Sequence, residues 1–423
     1  MLGGCRPVEH LSRRALLKGT LLTAGGLVLP NWGALFHSQT IAAENQKRRK
    51  HCILLWMNGG ASQLDTFDMK PGRPTGGPFR PGATKIPGIQ ICEYLPRVAQ
   101  HVDKLAIIRS MRTQSPDHPD GIYHMHTCYK ISERVPHPEI GAMIAKYCGD
   151  PNSDLPGFVR IGPTGNAGAG YLGPRYEPFS LGREVRLPYF TQSYLSPEAE
   201  ARRNDLLRFM EERFAQTHAA EPFASHREAK ERSWRLVRAK HVFDISRDWP
   251  KVRDRYGDTD FGRACFLALK LVEAGVPFVE IGQDNYDSHA DNFVCHKANL
   301  HVLDPAWASL LEDLNARGLL QDTLVVWMGE VGRTPTINNR AGRDHFIRGW
   351  TVVLAGAGIK GGQVYGTTDP DGKDVKENPV SEGDLFATIY TALGINPRVK
   401  HYVGTRPIWA TPEGSQPIRE LLS

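Results

Sequence analysis

Six short apolar runs recur after residue 50, at 52–57, 105–109, 158–161, 277–281, 323–328 and 351–354. They are continuous rather than alternating, so each reads as a strand buried on both faces. Between them lie stretches with helical spacing of apolar residues, near 93–102, 138–148, 197–217, 222–243, 260–274, 298–318 and 383–393. Continuous strands separated by helices predict an α/β fold, a mostly parallel sheet sandwiched by helices. The Gly- and Pro-rich stretches 70–91 and 163–196 read as loops or small insertions. The highly charged stretch 197–255 reads as a helical cap or insertion.

The first 45 residues have a different texture. Ser12-Arg13-Arg14-Ala15-Leu16-Leu17-Lys18 sets two arginines ahead of an apolar, glycine-containing stretch, 21–29, which Pro30 ends. Basic, apolar and turn segments in that order make an export signal, and the paired arginines mark the twin-arginine type. The apolar run is only about half the ~20 residues that a membrane-spanning helix needs. Ala42 and Ala43 supply small residues for a cleavage region. The expectation is a twin-arginine signal peptide and linker over 1–45 and one domain over 50–423. The mature protein is expected to be periplasmic or otherwise exported, with no integral membrane domain once the signal is removed.

The formal net charge is +6. Arg6, Arg13, Arg14 and Lys18 against Glu9 carry half of it, so the domain itself is only mildly basic. Part of the remainder is Lys47-Arg48-Arg49-Lys50, which reads as a solvated linker. No nucleic-acid partner is expected. Seven cysteines are present, and Cys5 lies in the signal. Cys52, Cys92, Cys128, Cys148, Cys265 and Cys295 include no C-x-x-C pair, which argues against a zinc knuckle. Their settings suit buried thiols as well as disulfides.

In an open parallel sheet, binding sites form beyond the carboxyl ends of the strands. Past 52–57 stand Asn58, Gly59, Gly60, Ser62 and Asp65; past 105–109 stand Thr113, Ser115, Asp117, His118, His124 and His126. Past 277–281 runs Asp284-Asn285-Tyr286-Asp287-Ser288-His289. Past 323–328 stand Glu330 and Arg333, with Gly342-Arg343-Asp344-His345 beyond. Asp287, His289 and His345 supply oxygen and nitrogen donors that suit a divalent metal ion, zinc or manganese, with a position left for water or substrate. The same residues also read as turn-capping and loop positions. Glu330 and Asp344 read as further ligands or as carboxylates that orient them. Arg333 reads as a clamp for a substrate oxyanion, or as an ion-pair partner of Glu330. Thr113 and Ser115 are candidate nucleophiles, although Ser115-Pro116-Asp117 is also ordinary turn chemistry. Of His124 and His126, one is expected to line the site and the other to pack.

These segments resemble a known family. Trp56-Met57-Asn58-Gly59-Gly60-Ala61-Ser62-Gln63-Leu64-Asp65-Thr66-Phe67-Asp68 is similar to its opening motif, and His124-Met125-His126-Thr127 to its middle one. Tyr286-Asp287-Ser288-His289, Glu330-Val331-Gly332-Arg333-Thr334-Pro335 and Gly342-Arg343-Asp344-His345 are similar to its later ones. This is the bacterial domain-of-unknown-function family numbered fifteen-hundred-and-one, and the resemblance covers nearly all of the chain after residue 50. It implies an alkaline phosphatase and sulfatase-like fold. It also implies metal-dependent chemistry on a small-molecule or glycan ester, with Asp287, His289 and His345 around one ion. A second ion, usual in that superfamily, is not implied. Val331 stands where its histidine would be, and Asn58 stands near the place of its aspartate. The Cys-x-Pro-x-Arg or Ser-x-Pro-x-Arg motif of sulfatases does not occur. The expected function is an exported metal-dependent hydrolase, or transferase, of phosphate or sulfate esters. The alternative is a non-catalytic secreted binding or assembly protein on a degenerate hydrolase fold.

Overall fold

The structure is a computed structural model that describes residues 49–132, 134–165, 167–185, 196–217 and 235–423. The export signal expected over 1–45 lies outside the described residues.

Strand β1 (His51–Met57) is buried along its whole length. It pairs into an eight-stranded sheet with β2 (Leu105–Met111), β3 (Phe158–Ile161), β4 (Phe179–Leu181), β5 (Phe278–Gln283), β6 (Thr323–Met328), β7 (Trp350–Gly356) and β8 (Gln363–Tyr365). The order is β8-β2-β7-β6-β1-β5-β3-β4. All pairings are parallel except those of β7, which runs antiparallel to β2 and β6. The sheet is thus mostly parallel, as expected, with one reversed strand that the apolar run at 351–354 could not reveal. The carboxyl ends of β1, β2, β5 and β6 consequently open on one edge.

The two-residue period of β1 explains why its run had to be continuous. Ile53, Leu55 and Met57 enter one apolar core with Phe266, Trp307 and Trp327. Cys52, Leu54 and Trp56 enter the other with Met143, Phe386 and Tyr390. The α-helices include α1 (His118–Thr127), α2 (Ile140–Cys148), α3 (Pro197–Thr217), α4 (Trp249–Tyr256), α5 (Asp260–Glu273), α6 (Asn292–Ala316) and α7 (Glu382–Ala392), and 235–239 are helical too. Helices α5 and α6 supply the first core, and α2 and α7 the second. Their starts follow local chemistry. The Thr259 hydroxyl accepts the Gly262 N–H at 3.0 Å to cap α5. Ser381 and Asp384 form a reciprocal capping box on α7.

Helix α1 and the three-residue edge strands β4 and β8 have no counterpart among the expected elements. The stretch near 93–102 forms a 3-10 segment, Val98–Lys104, instead of an α-helix. The helical cap expected over 197–255 falls partly on α3 and α4, with 218–234 outside the described residues. The six described cysteines are free thiols. No described helix is long and apolar enough to cross a membrane.

Candidate metal centre

Two glycines allow the strand-end loops to meet. Gly59 (φ +102°) and Gly60 (φ +82°) follow β1 in left-handed conformations that side chains disfavour. A Cβ on Gly59 would lie 2.3 Å from the Asp287 backbone nitrogen, and one on Gly60 would lie 2.3 Å from the Val331 carbonyl oxygen. The loops after β5 and β6 therefore close directly on the loop after β1. Another connection brings in the last segment. Arg333 and His345 pair antiparallel in a two-residue ladder. The 338–345 loop lies on the 288–292 turn through Asn338 Nδ2 to the His289 carbonyl at 3.0 Å and the Arg343 N–H to the Ser288 carbonyl at 3.0 Å.

Arg343 and Asp65 lock this arrangement from beneath. Both side chains are fully buried. Arg343 Nε donates to Asp65 Oδ2 at 2.8 Å, and the remaining guanidinium donors reach the carbonyls of Thr334, Pro335 and Thr75 at 3.0, 2.7 and 2.8 Å. Asn292 Nδ2 donates to the same Asp65 oxygen at 2.8 Å.

Three imidazoles converge on Asp287. His289 Nε2 lies 3.0 Å and His345 Nε2 3.2 Å from Asp287 Oδ1, and the two nitrogens are 3.1 Å apart. His118, the first residue of α1, places Nε2 3.3 Å from Asp287 Oδ2. Its Nδ1 lies 2.8 Å from Glu330 Oε1, which also accepts the Gly59 N–H at 2.8 Å. His289 Nδ1 lies 2.7 Å from Asp344 Oδ1. With the Nδ1–H groups of His118 and His289 donated to carboxylates, both Nε2 lone pairs face inward, toward other acceptors. Acceptors facing acceptors at this range need a proton or a cation between them. The His118 Nε2 is buried without an aligned hydrogen-bond partner among the described residues, as is Glu330 Oε2.

The charges agree with a cation. Asp287, Glu330 and Asp344 against Arg333 leave two negative charges when the imidazoles are neutral. Donor separations of 3.0–3.3 Å match the edge of a tetrahedron, about 3.3 Å, that zinc bonds of about 2.0–2.1 Å would define. His118, Asp287 and His345 alone already place one donor atom each within 4.8 Å of one another. Burial works against the Asp287 carboxylate, but the hydrogen bond and charge of Arg333, then His345 and His118, hold its pKa down at about 2. His118 is raised, chiefly by its hydrogen bond to Glu330. His345 is lowered by burial. The Asp344 carboxyl is lowered by its hydrogen bond to His289.

Asp287, His289, Glu330, Asp344 and His345 thus come together from three loops. Arg333 joins them in a different role from the oxyanion clamp expected of it. It is fully buried, with Nε on the Gly60 carbonyl at 3.0 Å and Nη1 on the Arg343 carbonyl at 3.2 Å. Its Nη2 is bound to the Gly59 carbonyl and to Asp287 Oδ1. Four of its five N–H groups are engaged inside the protein, so it fixes Asp287 and the glycine loop. The Ser115 hydroxyl accepts the Asp117 N–H at 3.3 Å, in the turn before α1. Thr113 sits deeper, its N–H on the Ile347 carbonyl at 3.0 Å and its hydroxyl buried without a partner among the described residues. Neither hydroxyl is hydrogen-bonded to the imidazole cluster. Neither His124 nor His126 lines the cluster. Helix α1 turns His124 toward Glu382 at 3.4 Å and buries His126 against Glu280 at 2.7 Å. His118 belongs to the centre and was not among its expected ligands. Its sign in the sequence is the Asp117-His118-Pro119 start of a helix, a cap followed by proline in the first turn.

The chain belongs to the family of proteins of unknown function DUF1501, whose model matches residues 49–422. No curated protein matches it. Solved structures similar to it include the PsFucS1 sulfatase from Pseudoalteromonas sp., at 14% identity and a TM-score of 0.38 over 87% of this chain and 72% of that one. A protein in the alkaline phosphatase superfamily from Vibrio parahaemolyticus aligns at 10% identity and a TM-score of 0.33, over 83% and 67% of the two chains. The C-terminal periplasmic domain of EcEptC from Escherichia coli, in complex with Zn, aligns at 10% identity and a TM-score of 0.39, over 87% and 95%.

Proposed function

We propose that this DUF1501 protein is an exported metal-dependent hydrolase, or transferase, of phosphate or sulfate esters, built around one divalent ion. The observation that supports it best is the inward convergence of His118, His289 and His345 on Asp287, with two of the imidazoles backed by carboxylates. These four residues would hold the ion. Glu330 and Asp344 would fix the tautomers of His118 and His289, a carboxylate–histidine arrangement usual behind metal ligands. Arg333 would keep Asp287 ionised and aimed. A bound zinc or manganese ion supplies polarisation of a phosphoryl or sulfuryl oxygen and a lowered pKa for water. Asp287 is half exposed, so a small-molecule or glycan ester can reach the donors. The attacking group is the buried Thr113 hydroxyl or water.

Metal analysis of the purified protein, with turnover of aryl phosphate and aryl sulfate esters, tests this reading. We expect about one equivalent of divalent metal and ester hydrolysis, both lost in Asp287→Ala. Loss of turnover in Thr113→Ala with metal retained assigns the attack to the hydroxyl, and unchanged turnover assigns it to water. Metal retention with no turnover of either ester class favours the non-catalytic binding protein. A protein that takes up no metal refutes both the metal and the enzyme. Export belongs to the same proposal. Arg13→Lys with Arg14→Lys should leave folded protein, signal attached, in the cytoplasm, as cell fractionation would reveal.

A further inference from the structure

A cavity of about 360 Å³ adjoins His345, lined by the 334–336 turn, His345, Phe346, Ile347, Arg348 and Lys373. We infer that this cavity receives a second anionic group of the substrate, so that the substrate class is an ester bearing a further negative charge near the reacting one. The inference rests on the reading of His345 as part of the metal centre.

Two cations from separate elements line it. Arg348 is exposed, and its guanidinium lies over the Phe346 ring, 5.6 Å from the centroid. It has no ion-pair partner among the described residues. Lys373 comes from the loop of a separate hairpin, Thr367–Thr368 with Val375–Glu377. That loop is fixed rather than trailing. The Asp369 carboxylate accepts the N–H groups of Asp371 and Asp374 at 2.8 and 2.5 Å. A Cβ on Gly349 would meet Thr368 Cγ2 at 3.3 Å, so the hairpin lies close against the segment that carries Arg348.

Of the acids nearby, Asp374 and Asp344 are paired elsewhere, and Asp371 is shared between Arg73 and Lys373. Asp371 lies 2.6 Å from Arg73 but 3.6 Å from Lys373, and Asp374 lies 2.5 Å from Arg112. Asp344 is bound to His289. The cavity thus keeps the positive charge of Arg348 and Lys373, over an apolar floor of Phe346 and Ile347, directly beside a candidate metal ligand. An anion placed between two cations gains from both, and Phe346 and Ile347 offer an apolar floor beside them.

The test uses the metal-loaded full chain and two probes, naphthalene-1-sulfonate and naphthalene-1,5-disulfonate, with affinities from titration calorimetry. One exposed charge contact changes affinity by up to about five-fold, so the disulfonate should bind about ten-fold tighter. High salt should erase that advantage, and so should Arg348→Gln with Lys373→Gln, with the monosulfonate affinity and the metal content unchanged. Equal affinity of the two probes for the unaltered protein, discrimination that survives in the double variant, or no binding of the disulfonate overturns the inference. Metal content measured on the same samples separates the two proposals. Bound metal without discrimination removes only the anion site. Discrimination without bound metal removes the metal centre and, with it, the reading of the cavity as a second substrate site.

Discussion

Replacing Arg343 by methionine should cost the protein about 3–5 kcal/mol, the usual penalty for removing one partner of a buried ion pair. The structure argues for that range rather than for the small values of surface pairs. Both Arg343 and Asp65 are fully buried, and Arg343 Nε and Nη2 reach the two Asp65 oxygens at 2.8 and 3.3 Å. Methionine keeps most of the aliphatic volume but leaves Asp65 with Asn292 as its remaining side-chain donor among those described. The buried carbonyls of Thr75 and Pro335 and the part-buried one of Thr334 lose their guanidinium donor as well. A domain of this kind has only about 5–15 kcal/mol of net stability, so the loss should be plain in equilibrium urea unfolding. Asp65→Leu combined with Arg343→Met should be less destabilised than the sum of the single variants by about 2–3 kcal/mol, because the double variant strands no charge. The reasoning is refuted if Arg343→Met unfolds within about 1 kcal/mol of the unaltered protein, or if the two single effects simply add.

Other expectations follow from the same geometry. Gly59→Ala sets a Cβ 2.3 Å from the Asp287 nitrogen at φ +102°; it should destabilise by about 1–3 kcal/mol and abolish metal uptake, and normal uptake measured by equilibrium dialysis would count against the loop packing. Glu330→Gln should lower metal affinity by about 10–100-fold, read from competition with a chromogenic chelator; unchanged affinity would mean that His118 needs no carboxylate behind it. Burial holds His137, His296 and His401 at about 4, below the ordinary 6.5. Each is therefore neutral in the fold but takes a proton in the unfolded chain between those values. These three should add no pH dependence above pH 6.5 and should lower stability on acidification from there toward pH 4, by up to about 1.4 kcal/mol per pH unit for each histidine; a level urea midpoint from pH 6.5 to pH 5 would refute this.

What could be read from the sequence followed burial. The six apolar runs all became sheet strands because a strand covered on both faces has no room for polar residues along its length. The edge strands β4 and β8 escaped notice because three residues that are not buried throughout carry no such pattern. Helix α1 was hidden for another reason. His118-Pro119-Asp120-Gly121-Ile122-Tyr123-His124-Met125-His126-Thr127 mixes proline, glycine and polar residues with no apolar stripe, and with it went the reading of His118. Asp287 and His289 could be read as candidate donors from their place past the 277–281 run, and His345 only from the Asp344-His345 pair in the loop beyond 323–328. The inward duty of Arg333 could not be read, because an arginine's burial depends on which carbonyls the fold brings to it. The tie between Asp65 and Arg343 spans 278 positions, and no local pattern reports such a contact.

Strand β1 has a consequence for the birth of the protein. Its neighbours β5 and β6 begin at Phe278 and Thr323, so the ribosome must add more than 220 residues after Met57 before either partner exists. At synthesis rates of about 5–20 residues per second, that is roughly 10–45 s. For that interval Cys52-Ile53-Leu54-Leu55-Trp56-Met57, the heart of two cores, is an unpaired sticky segment at the front of a nascent chain. Chains halted before residue 278 should aggregate, whereas chains that have passed residue 328 should begin to resist protease. The same central placement that buries β1 along its whole length in the finished sheet leaves it a hazard during synthesis.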